Sequence, residues 1–166
     1  MKTLLLILLL VPMVSFGQNV NIPDANFKNY LVNNSAINTN GDSEIQVSEA
    51  SGFSGTINCG WQNISDLSGI EAFTSLTQLF CFNNQLTSLD VSSNTALTLL
   101  NCANNQLTSL DVSSNTALIE IDCEGNNLTS LDVYNNIYLT SLSCGNNLLT
   151  SLDISSCADL IGLFCF

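Results

Sequence analysis

The sequence predicts an α/β solenoid: coils of about 21 residues stacked with parallel strands, closed at the N-terminal end by a small helical cap. Three observations predict it. Cys81, Cys102, Cys123, Cys144 and Cys165 stand 21 residues apart. Each closes the same short pattern of apolar residues: LTQLFC from Leu76, LTLLNC from Leu97, LIEIDC from Leu118, LTSLSC from Leu139 and LIGLFC from Leu160. The stretch LTSLDVSSNTAL occurs twice, from Leu86 and from Leu107. A single coil cannot bury both of its apolar edges, and stacking buries them. Parallel strands about 4.8 Å apart then supply the backbone hydrogen bonds, and close packing requires each column of the stack to keep one residue size.

Asn84, Asn105, Asn126 and Asn147 follow the first four cysteines at a fixed offset, and Leu86, Leu107, Leu128 and Leu148 are read as the next apolar column. The pattern LxxLxCxxNxL resembles the leucine-rich repeat signature with Cys in the third apolar slot. The resemblance covers about residues 57–166. A shorter echo, LTSLDVSSN, divides each 21-residue period into 11 and 10, so a second extended segment should run along the side opposite the strand. The unit ISDLSGIEAFTSL from Ile64 is one residue longer. That spacing is similar to internalin-type repeats of exported bacterial proteins, where this side is a tight helical turn. The Asn columns, including Asn94, Asn115 and Asn136, should turn the chain and satisfy buried backbone groups; Cys157 takes the Asn place in the last copy.

Residues 1–17 read as a secretory signal peptide: Lys2, an apolar run from Leu4 to Val11, and small residues at Ser15 and Gly17, with cleavage before Gln18. No stretch reaches the roughly 18 apolar residues of a membrane span. From Gln18 onward the chain keeps all 14 acidic residues and one base, Lys28, with no Arg and no His. Nucleic acid and anionic membrane surfaces need basic residues, so neither is an expected partner. Without His there is no Ser-His-Asp or Cys-His arrangement and no His ligand for zinc. A carboxylate-only enzyme is the remaining catalytic route, and the reading is that the chain is not an enzyme.

The cysteines occupy a slot that Leu usually fills, and Cys59 starts their column 22 residues before Cys81. They read as buried free thiols behaving as small apolar side chains. Export would permit disulfides, but side chains stacked in parallel would strain them.

Residues 18–56 do not fit the repeat and read as a helical cap. IPDANFKNYLVNN places Pro23 and Asp24 at a helix start, with Phe27, Tyr30 and Leu31 at helical spacing. The following NTNGDSEIQVSE is similar to an EF-hand loop, with Asn38, Asn40, Asp42, the Glu44 carbonyl and Glu49 at ligand positions and Ile45 at the eighth. It departs from that loop at Asn38 and at Ser43, where Asp and Gly are usual. The resemblance implies weak calcium binding, and no cofactor that the fold requires. The caps of internalin-type proteins resemble a degenerate EF-hand that serves only as a cap.

Outward strand positions differ from copy to copy. Phe80 and Phe82 form an aromatic pair, Asn101 follows in the next copy, and Glu120, Asp122 and Glu124 share one face of the copy after that. These six are the candidate partner-binding residues, since variation on one face of a repeat scaffold is where partner choice resides. Asp90, Asp111, Asp132 and Asp153 form a further column whose mutual repulsion hydrogen bonds from nearby hydroxyls or turn backbone should relieve. The sequons at Asn33, Asn63 and Asn127 matter only in a eukaryotic secretory route.

The resemblance implies an extracellular protein-binding or adhesion module, secreted or at the cell surface, taking a protein or other surface ligand on the outward strand face. The alternative is a structural, calcium-stabilised spacer within a larger surface protein. The chain stops at Phe166 in mid-repeat, and continuation into further repeats or a covering partner is expected.

Overall fold

A computed structural model describes residues 17–165. The signal-peptide reading of residues 1–16, and Phe166, lie outside the described residues. The cap comes first: helix α1 (Ala25–Val32) and helix α2 (Val47–Gly52). Six short strands follow: β1 (Thr56–Asn58), β2 (Gln78–Phe80), β3 (Leu99–Asn101), β4 (Glu120–Asp122), β5 (Ser141–Ser143) and β6 (Gly162–Phe164). They form one parallel sheet in chain order. This is the solenoid of about 21-residue coils that the repeat predicts. In register, Phe80 lies beside Asn101, Asn101 beside Asp122, Asp122 beside Ser143, and Ser143 beside Phe164.

The columns explain the near-identity of the copies. Leu79, Leu100, Ile121 and Leu142 point inward from successive strands and are buried, as are Leu76, Leu97, Leu118 and Leu139, and Val91, Val112 and Val133. Cys59, Cys81, Cys102, Cys123 and Cys144 form the buried thiol column, none in a disulfide, and Cys165 at its end is exposed. One assignment needs correction. Leu148 is 60% exposed and lies outside the core, whereas Leu149 packs against it. Leu148 donates its N–H to Leu128 O as Asn127 does to Leu107 O, so Leu149 is the residue in register with Leu128.

Two Asn columns close the backbone accounts. Asn105 accepts from Leu86 N (3.0 Å) and donates to the carbonyls of Cys81 and Cys102, both 3.0 Å away. Asn84, Asn126 and Asn147 repeat this pattern between their own pairs of coils. On the return side Asn94, Asn115 and Asn136 each donate to two carbonyls of the preceding coil. The residue before the first column turns the chain. Asn83, Asn104, Gly125 and Asn146 all adopt positive φ, between 53° and 66°, a region Asn and Gly enter more easily than other residues.

The return side holds a parallel bridge between Asp90 and Asp111, the second extended segment. Among the described residues of the repeats, only the longer first unit carries a helical turn, a 3-10 turn at Ile70–Ala72. The Asp column is relieved by turn backbone: each carboxylate accepts the N–H two residues on, from Ser92, Ser113, Tyr134 and Ser155.

Asp24 caps α1, accepting from Asn26 N and Phe27 N, and Phe27 and Leu31 bury the helix's inner face. Phe53 meets Phe73 edge to face at 6.4 Å between centroids. Tyr30 Oη accepts from Asn58 N at 2.9 Å, so the cap satisfies a donor of the first strand. The open edge of the sheet is thereby covered.

Candidate partner-binding face

Alternation along each three-residue strand turns the middle side chain into the core and leaves the first and third on one outer face. Across β2 to β5 that face carries Gln78 and Phe80, then Leu99 and Asn101, then Glu120 and Asp122, then Ser141 and Ser143. Just past the strands, Phe82, Ala103, Glu124 and Gly145 continue it, linked through their carbonyls to the residue after each neighbouring one.

The structure brings Asn101, Asp122 and Glu124 together. Asp122 Oδ2 accepts from Asn101 Nδ2 (3.1 Å), and Oδ1 from Glu124 N (3.2 Å). Glu124 accepts from Asn146 Nδ2 (2.9 Å) and Ser143 Oγ (3.4 Å). Half-burial pushes the Asp122 carboxyl up, and the charge of Glu124 adds to this against the two hydrogen bonds. Glu120 stands further along the same face and is exposed. Among the described residues the sole salt bridge is Lys28 to Glu44, in the cap, so no cation neutralises these acids.

Phe80 and Phe82 are half-buried at the cap end of the face. The tip of the Phe82 ring lies against Gly60: a Cβ there would fall 2.7 Å from its Cζ. The glycine therefore makes room for the aromatic ring. Trp61 follows it, 71% exposed, with φ 60°. Its N–H donates to Phe82 O just as Asn83 N does to Ala103 O, so Trp61 fills the left-handed turn position held elsewhere by Asn or Gly. A bulky residue there is costly and calls for a compensating role. Sequence reasoning missed Trp61. The signal was available, since it precedes Asn83 by the 22 residues that separate Cys59 from Cys81.

The EF-hand-like loop is bonded to itself. Glu49 Oε1 accepts from Thr39 N (2.8 Å), Thr39 Oγ1 (3.0 Å) and Asn40 N (3.2 Å), and Oε2 from Gln46 N (3.0 Å), the start of α2. Burial pushes its carboxyl up, but these bonds outweigh it and hold it below the usual value. Asn38 is buried and donates to Val32 O and Asp42 O while accepting from Gly41 N. Asn40 Oδ1 accepts from Asp42 N, Asp42 accepts from Glu44 N, and the Glu44 carboxylate pairs with Lys28 at 2.7 Å. Among the described residues no three acidic or thiol side chains gather as metal ligands. In this arrangement the loop oxygens fit the loop's own amides, and calcium would have to displace them.

The assembly of parallel strands, Leu columns and Asn ladders is a leucine-rich repeat fold of internalin-like type. No protein-family model and no curated protein matches the chain. Among solved structures, the chain is similar to the functional domain of InlJ from Listeria monocytogenes, described as including a cysteine ladder: 38% identity, TM-score 0.81, over 90% of this chain and 33% of that one. The chain thus spans about a third of that domain's length. Internalin C2 of the same organism shares the fold at 19% identity, TM-score 0.63, over 87% of this chain and 86% of that one. The ectodomain of the receptor kinase SOBIR1 from Arabidopsis thaliana matches at 26% identity, TM-score 0.54, over 63% of this chain and 65% of that one. No helix among the described residues is long and apolar enough to cross a membrane.

Proposed function

We propose that the chain is an exported protein-interaction module whose outward strand face takes a basic partner with an apolar anchor. One observation carries this reading. On a scaffold whose inward residues scarcely change, the outward face runs from Phe80 and Phe82 through Asn101 to a half-buried acid, Asp122, beside Glu120 and Glu124. A Lys or Arg from a partner would neutralise carboxylates that no cation among the described residues reaches, and Phe80, Phe82 and Trp61 would receive apolar side chains. The leucine-rich repeat fold, shared with the functional domain of InlJ and with a receptor ectodomain, supports a binding role at the cell surface or beyond it. The absence of His and Arg supports binding over catalysis.

The test is selection of peptides from a random displayed library on the purified chain. Enrichment of Lys or Arg together with an aromatic or aliphatic residue is expected, and retention should fall in the triple variant Glu120→Gln, Asp122→Asn, Glu124→Gln. Selected peptides that lack basic residues, or that bind the triple variant equally well, would sink the reading.

A further inference from the structure

On the return side, away from the strand face, one coil breaks the repeat at three exposed positions. The residues at one turn position are Ser92, Ser113, Tyr134 and Ser155 in successive coils. At the next variable places the coils read Thr95, Thr116, Ile137, Ala158, and Ala96, Ala117, Tyr138, Asp159. Only the coil of Val133 carries Tyr134, Ile137 and Tyr138, and these are 70%, 49% and 58% exposed. Nothing in the core requires them, because Val133, Asn136 and Leu139 of that coil occupy their columns as in the others. Neither tyrosine hydroxyl has a hydrogen-bond partner among the described residues.

The three side chains build grooves that span coils. Tyr134, Ile137 and Tyr138 line one of about 580 Å³, closed by Thr116 and Ser156 from the neighbouring coils and by Asn135. Tyr134 is also a wall of a second groove, about 390 Å³, with Ser130, Asp132, Ser151 and Asp153. Asn135, itself exposed, donates Nδ2 to Ser113 O (3.3 Å), and its amide oxygen has no hydrogen-bond partner among the described residues. Asp132 and Asp153, both exposed, each accept a turn N–H through Oδ1.

We propose that this surface binds an uncharged oligosaccharide. Exposed aromatic faces bordered by hydroxyls, an amide and carboxylates match the two surfaces of a sugar ring. Its C–H face is apolar with a weakly positive edge and stacks on the electron-rich face of Tyr134 or Tyr138. Its hydroxyls donate to Asp132, Asp153 and Asn135 and accept from the serines and tyrosine hydroxyls. Charge removes one ligand class, the anionic glycans. A chain of net charge −12 with a column of aspartates beside the grooves repels anionic glycans, and it repels a second copy of itself docking through the same face.

The scaffold provides its own controls, since Ser, Thr and Ala stand at the equivalent places of the two preceding coils, and Ser155, Ala158 and Asp159 in the last. The experiment is binding of the purified chain to an array of neutral, sialylated and sulfated oligosaccharides, followed by titration of the best neutral glycan. Retention of neutral glycans is expected, weakened by at least about tenfold in Tyr134→Ser with Tyr138→Ala and kept in Tyr134→Phe. Melting temperatures should be unchanged in these variants. The triple strand-face variant should bind glycan normally, which separates this proposal from the protein-partner reading. No neutral glycan retained, a preference for anionic glycans or for basic peptides at this surface, concentration-dependent dimerisation lost in the tyrosine variants, or glycan binding that survives Tyr134→Ser with Tyr138→Ala would each overturn it.

Discussion

Asp24 Oδ2 accepts both the backbone N–H (2.9 Å) and the hydroxyl (3.0 Å) of Ser65, a residue 41 positions away. Its other oxygen caps α1 through Asn26 N and Phe27 N. One carboxylate therefore starts the cap helix and ties it to the first coil. Asp24→Ala should cost about 1–2 kcal/mol, the range of a lost N-cap with an added tertiary bond. Burial pushes this carboxyl up, yet the four hydrogen bonds outweigh it and hold it below the usual 3.8. A depressed folded value means the stabilisation is present above the unfolded pKa and fades as pH falls through the folded one. Denaturant unfolding should show wild type and Asp24→Ala separated at neutral pH and converging in acid. A pH-independent gap would assign the loss to packing.

The two Asn columns should respond differently to substitution. Asn126 bonds Leu107 N and the carbonyls of Cys102 and Cys123, so Asn126→Ala leaves three backbone groups short, a loss on the order of 3 kcal/mol. Asn115 donates to Val91 O and Asn94 O, but its Oδ1 has no partner. The chain already places Cys157 at that position, its Sγ 3.8 Å from Val133 O and 3.7 Å from Asn136 O. Asn115→Cys should therefore cost roughly half as much as Asn126→Ala in equilibrium unfolding. Equal costs would mean that the return-side column carries as much of the stack as the strand-side one.

Much of this fold was legible because stacking makes each column a repeated letter. Strands β2 to β6 lie inside the LxxLxC segments, Asp24 caps the first cap helix, and the longer first unit holds the one 3-10 turn among the described residues. Doublets blurred the detail. In the Asn-Asn pair, Asn83 turns the chain and Asn84 bonds it, and in the Leu-Leu pair Leu149 packs against the core while Leu148 does not. Residue type cannot show where an oxygen points, so Glu49 suits both an EF-hand position and a helix-start bond to Gln46 N. Trp61 occupies a turn position that Asn or Gly fills in the other coils, so the apolar columns do not reveal it.

The thiol column should be chemically silent. Burial pushes Cys59 up to about 12, and pushes Cys81, Cys102, Cys123 and Cys144 up as well. A thiol reacts as its thiolate, and these stay protonated at mild pH. Of the 7 cysteines, only the exposed Cys165 should react with an aromatic disulfide reagent in the folded chain, and all 7 after unfolding. Fewer than 7 in the unfolded, unreduced chain would reveal disulfides and overturn the free-thiol column.

The cap loop should fold without calcium. Glu49 already accepts from Thr39, Asn40 and Gln46, so an ion must displace those bonds to bind. Millimolar calcium should leave the melting temperature unmoved, and Glu49→Gln should lower it in calcium-free buffer. Calorimetric titration beside the double variant Asp42→Ala, Glu49→Ala decides the matter. A saturable heat in wild type that the variant loses would establish a calcium site and favour the spacer role.

Asp122 should trade stability for binding. Half-burial, with Glu124 alongside, lifts its folded pKa above the unfolded 3.8. The folded state then holds a proton that the unfolded state releases between those two values. Its favourable contribution is complete below the unfolded pKa and is lost as pH rises through the folded one. At neutral pH the ionised group is therefore a net cost to folding. Asp122→Asn keeps the shape and removes the charge, so it should raise the denaturant midpoint at pH 7 and lose that advantage below about pH 4. The same variant should weaken binding of Lys- or Arg-containing peptides, the pattern of a site kept charged for function at the expense of stability. A variant that is no more stable at pH 7, or more stable with unchanged peptide affinity, would leave Asp122 without a role on this face.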